Sequence, residues 1–60
     1  MNEVIDMYSI EIEDCDGEIY FYGETFDCLI EAKKISRRLE SEDAEIECAC
    51  VVLTETGELA

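Results

Sequence analysis

Tyr8, Ile10 and Ile12 alternate along the chain with Ser9, Glu11 and Glu13. A period of two is the mark of a half-buried strand, and the pattern predicts one over residues 4–14. Asp16-Gly17 follows, the dipeptide favoured in a two-residue type I′ hairpin loop. That loop would set Ile12 opposite Phe21, Glu13 opposite Tyr20 and Glu11 opposite Tyr22. The expected hairpin has one apolar face and one acidic face that carries tyrosines.

The period then lengthens. Thr25 is a candidate helix N-cap, with Asp27 and Glu31 in the first turn and Lys33, Lys34, Arg37 and Arg38 toward the last turns, an order that suits the helix dipole. At ~100° per residue, Cys28, Ala32, Ile35 and Leu39 form one stripe. Lys33, Lys34 and Arg37 fall opposite it, with Ile30 out of place among them. Glu40-Ser41-Glu42-Asp43 reads as a polar loop. Ala44 to Thr54 reads as a strand with Ile46, Cys48, Cys50 and Val52 on one face and Glu45, Glu47, Ala49, Val51 and Leu53 on the other. Thr54 to Gly57 predicts a closing turn, and Glu58 to Ala60 a stub able to pair back.

These elements predict one α+β domain spanning residues 1–60 in the order β-β-α-β. A right-handed crossover through the helix places the third strand beside the first and antiparallel to it. The product is a three-stranded antiparallel sheet with one helix packed on one face, plus a short C-terminal strand. The uncovered face is expected to display Met7, Tyr20, Tyr22, Val51 and Leu53, rimmed by Glu11, Glu13, Glu45 and Glu47.

Charge gives this face its meaning. The chain carries 17 Asp and Glu against 4 Lys and Arg, a net charge of -13, and all four cations lie between Lys33 and Arg38. Such an imbalance disfavours direct contact with nucleic acid or with anionic lipid, because binding either requires cations to neutralise phosphates. It favours a basic protein partner. The hydrophobic fraction of 48% argues for a folded chain despite the charge. Met1-Asn2-Glu3-Val4 lacks a basic segment followed by an apolar run, and no stretch approaches a membrane span, so a cytoplasmic location is expected. If the protein is phage-encoded, that is the host cytoplasm.

The sequence offers little catalytic or metal chemistry. Its four cysteines (Cys15, Cys28, Cys48 and Cys50) contain no Cys-x-x-Cys pair, and the chain has no histidine, so no metal or other cofactor is expected. Cys48 and Cys50 are expected to face Cys28 as free, buried thiols. Aligning Gly17 with the glycine of an EF-hand would put Ile12 and Gly23 at the first and twelfth positions, which excludes that calcium loop. No triad or glycine-rich phosphate loop is present, and the reading is non-enzymatic.

In size and charge the chain resembles the small, strongly acidic inhibitors that phages make against nucleic-acid-handling host proteins, anti-CRISPR and anti-restriction proteins among them. The resemblance covers no motif and carries over no residue; it implies action by occupying a basic nucleic-acid-binding site. The surface suggests the same mechanism. Glu11 with Glu13 and Glu45 with Glu47 would form rows of negative charge ~7 Å apart, with Tyr20 and Tyr22 for arginine to stack on and Val51 and Leu53 as an apolar centre. The expected function is that of a nucleic-acid mimic that inhibits its target. The alternative is a small regulatory or structural homodimer, such as an antitoxin or adaptor, joined through that apolar centre.

Overall fold

A computed structural model describes residues 6–60, so the expected beginning of the first strand at residues 4 and 5 lies outside the described residues. Strand β1 (Tyr8–Asp14) is followed by β2 (Ile19–Phe21), helix α1 (Leu29–Glu42) and β3 (Ile46–Leu53). The sheet order is β2-β1-β3, with both neighbours antiparallel to the central β1. This is the expected α+β architecture, including a C-terminal stub that returns as an isolated bridge between Leu59 and Val52.

The core is small and well defined. Ile10 and Ile12 of β1 are buried with Ala49 and Val51 of β3 and Ala32 of α1, and Ile46 joins them. Ala32 and Ser36, four apart on one helix face, are the buried positions of α1, flanked by the partly buried Leu29, Ile35 and Leu39. Small side chains there bring the helix backbone close to the sheet. The Ser36 hydroxyl stays satisfied by donating to the Lys33 carbonyl at 2.8 Å. Ile30 is 73% exposed, as its place among the cations implied.

The hairpin register differs from expectation by one residue. Glu11 opposes Phe21, Ile12 opposes Tyr20 and Glu13 opposes Ile19. The cause is a three-residue loop, Cys15-Asp16-Gly17, closed by the Asp14 N–H donating to the Glu18 carbonyl at 2.9 Å. A type I′ turn would need positive φ at two consecutive residues, but only Gly17 adopts it, at 86°. The Asp14 carboxylate makes the longer loop favourable, because its Oδ1 accepts the N–H groups of both Asp16 and Glu18 at 2.9 Å. Tyr20 therefore shares the helix side with Ile12, while Ile19 and Phe21 join Glu13 and Glu11 on the open side.

A bulge inverts the expected faces of β3. Cys48 pairs with Glu13, but Ile46 pairs with Asp14, leaving Glu47 as the extra residue. Ile46 is thereby rotated into the core with Ala49 and Val51, whereas Cys48, Cys50 and Val52 pair with Glu13, Glu11 and Ser9 on the open side. Val51 and Leu53 do not form an exposed strip. Val51 is buried, and Leu53 is half-buried opposite Tyr8.

The helix starts later than expected. Phe26 is held in a bridge to Tyr8 by two backbone hydrogen bonds of 2.7 and 2.8 Å, so the chain remains extended past Thr25. Cys28 takes the N-cap position without a side-chain cap. With the whole helix displaced, the cations fall in its middle, and its last turn has no basic residue. Glu40 and Glu42 lie there instead, against the dipole. One compensation is local: the Glu40 carboxylate accepts the Ala49 N–H at 3.0 Å and ties the end of α1 to β3.

Val51→Asp is expected to abolish folding rather than separate a dimer, because an unpaired carboxylate in this core costs several kcal/mol. Circular dichroism with urea titration reads this out. Gly17→Ala meets no steric obstacle, so its cost is the left-handed backbone alone, about 1 kcal/mol by the same titration.

Candidate protein-binding face

The open side of the sheet is built from alternate residues of all three strands. Glu11 and Glu13 come from β1, Ile19 and Phe21 from β2, and Cys48, Cys50 and Val52 from β3. Each strand places residues two apart on this side, so Glu11 and Glu13 form a row, with Phe21 and Ile19 directly across on one flank and Cys50 and Cys48 on the other. The carboxylates are half-buried; Ile19 and Phe21 are 61% and 58% exposed. At one end of the face, Val52 and Ser9 are buried beside the C-terminal turn, and the Ser9 and Thr54 hydroxyls share a 2.6 Å hydrogen bond.

Only part of the expected contact set comes together here. Glu11 and Glu13 lie on the open side as predicted. Tyr20 is on the helix side, although 45% exposed because α1 covers β1 and β3 but not β2. Tyr22 packs against the core, its ring stacked on Phe26 with centroids 6.3 Å apart. Val51 serves the core, and Leu53 lies on the same side as Val51. Glu45 and Glu47 are exposed at the start of β3, where the bulge separates them from the regular row. Ile19 and Phe21 were missed by the pattern, although the signal for them was present in Asp14. An aspartate just before Cys-Asp-Gly can close a three-residue loop, and that reading would have turned β2 over.

The cysteines also move relative to expectation. All four are free; Cys15, Cys28 and Cys50 are exposed and Cys48 is half-buried. Cys48 and Cys50 stand on the open side, away from Cys28 at the start of the helix, so no cluster of buried thiols forms. The Cys48 thiol donates toward Glu13 Oε1 at 3.8 Å. Desolvation pushes that thiol above its ordinary pKa, and Cys50 and the Glu13 carboxylate raise it further, since a second negative charge beside a carboxylate is unfavourable. Among the described residues, no group of three or more His, Cys, Asp or Glu side chains is arranged to hold a metal ion.

The cations occupy the opposite side of the molecule. A shallow groove of about 450 Å³ runs along α1 between Cys28 and Arg38, with Ile30, Glu31, Lys34 and Ile35 in its lining. Arg38 is drawn toward Glu42 in an exposed pair at 3.8 Å, a contact worth little in water. Among the described residues, no helix is long and apolar enough to cross a membrane. Comparison with protein-family models, curated proteins and solved structures finds no match to this chain.

The raised pKa leaves less Cys48 as thiolate at any given pH, so iodoacetamide at pH 8 should alkylate Cys48 more slowly than Cys15 or Cys50. Glu13→Gln removes the neighbouring charge and should speed modification at Cys48 selectively. Peptide mass mapping over time checks both.

Proposed function

We propose that this protein is a non-enzymatic acidic binding protein that occupies a basic, nucleic-acid-binding site on a protein partner. The observation that carries the reading is the row of Glu11 and Glu13 on the central strand, beside exposed Ile19 and Phe21, in a chain of net charge -13. Fixed carboxylates ~7 Å apart on a rigid strand attract the Lys and Arg that line a phosphate-binding groove. The apolar pair supplies the dehydrated centre that charge alone lacks. The cations lie on the helix, across the sheet from this row. Inhibition of a host nucleic-acid-handling protein is the activity this mode of binding would produce, and the anti-CRISPR and anti-restriction proteins of phages supply the analogy.

A second reading, a regulatory or structural homodimer, rests on Ile19 and Phe21 alone, because the apolar strip first expected at Val51 and Leu53 lies on the helix side of the sheet. Repulsion between two copies of the acidic row opposes it at low salt. Light scattering separates the readings: a monomer at both low and high salt fits the first, and a dimer strengthened by salt fits the second.

The direct test is competition. Basic proteins retained from a nuclease-treated lysate on the immobilised chain should be displaced by added DNA or RNA, and the double variant Glu11→Lys, Glu13→Lys, folded by circular dichroism, should retain them at least roughly tenfold less well. Retention indifferent to nucleic acid, salt and the double reversal would sink the reading.

A further inference from the structure

The two edges of the sheet are unlike. Along β3 the chain finishes its own edge: the Leu53 N–H donates to the Glu58 carbonyl at 2.8 Å, the Ala60 N–H donates to the Val51 carbonyl at 3.1 Å, and the Ala49 N–H is held by Glu40. Along β2 no such cover exists among the described residues. Asp14 donates to the Glu18 carbonyl and Tyr22 to the Ile10 carbonyl, so the even-numbered residues carry the ladder between β1 and β2. Ile19 and Phe21 must then turn their N–H and C=O groups outward. Helix α1 does not reach this strand, and all three of its residues are exposed.

Free backbone groups beside bare apolar side chains are a template for strand addition. The electrostatics select the occupant. Glu18 and Glu24 flank the edge, Glu13 and Glu11 stand directly across from Ile19 and Phe21, and a second copy would bring -13 against -13. A strand with Lys or Arg at alternate positions meets the opposite situation. Its basic side chains would lie over Ile19 and Phe21, burying their aliphatic stems there, and carry their charges toward Glu13 and Glu11, whose strand lies two spacings or ~10 Å from the added backbone. Arginine gains further from the Phe21 ring.

We propose that the outer edge of β2, Ile19 to Phe21, accepts an extended basic segment of the partner protein as a fourth strand. The proposal rests on the reading that the partner is a basic protein, and adds how that partner is held: backbone pairing sets the register, and Glu11 and Glu13 select alternate cations. Strand addition also explains how a short, strongly charged edge can be specific. Three residues offer too few hydrogen bonds to hold a neutral strand, and their acidic surroundings reject an acidic one.

The wild-type chain, labelled with ¹⁵N, tests this against four synthetic nine-residue peptides: one alternating Lys and Val, the same peptide N-methylated at alternate residues in each of the two registers, and one alternating Glu and Val. Expected are binding of the Lys-Val peptide with amide exchange at Ile19 and Phe21 slowed about tenfold or more, loss of that protection in one methylated register only, and no binding of the Glu-Val peptide. Equal binding of all three Lys-Val forms, or protection confined to other residues, overturns strand addition while the competition result above still decides the acidic-site reading. Failure of the Lys-Val peptide to bind also overturns it. Protection of the same two amides without any peptide, rising with protein concentration, would assign the edge to a second copy and equally overturn it.

Discussion

One carboxylate sets the arrangement of the sheet. By accepting the N–H groups of Asp16 and Glu18, Asp14 favours a three-residue loop over a two-residue one, and that single residue decides which side of β2 looks where. Side chains on a strand alternate, so a loop one residue longer exchanges the strand's faces completely. Ile19 and Phe21 reach the open side for this reason, and Tyr20 comes to share the core side with Ile12. The character of the open face, apolar beside acidic, follows from a turn.

A second displacement, at Glu47, acts on the other flank of β1. An extra residue in β3 lets Ile46 enter the core together with Ala49 and Val51, although simple alternation would put it on the side of Cys48. Ile46 adds apolar volume from the sheet, whereas the buried residues of α1 are only Ala32 and Ser36. The helix packs over β1 and β3 and does not contact β2. The four cations all lie on α1, where Glu31, Glu40 and Glu42 accompany them, while Glu11 and Glu13 stand on the open side of the sheet.

The order of elements, their number, the pairing of the first and third strands and the stub at the C-terminus were legible in the sequence, because each depends on periodicity or on chain connectivity. What patterning could not supply was parity. Over Cys48 to Leu53 both sides of the strand are apolar, so alternation does not say which side is inward until the bulge at Glu47 is known. The helix start was obscured in a similar way. Thr25 has the chemistry of a cap, yet the Phe26 bridge to Tyr8 keeps the backbone extended beyond it, and a contact so distant in sequence leaves no local mark. Of the candidate face, Glu11 and Glu13 were readable from the central strand alone; Ile19 and Phe21 depended on the loop.

The contrast between the sheet's two edges has a consequence for growth. An element with two reactive ends propagates a chain, whereas one with a single reactive end stops it. In this protein the β3 side of the sheet is engaged by Glu40 and by the return of residues 58–60, and among the described residues the β2 side has no such cover. Pairing begun at the β2 edge would not be relayed through the sheet to its far side, where Ala49, Val51 and Leu53 already have partners within the chain.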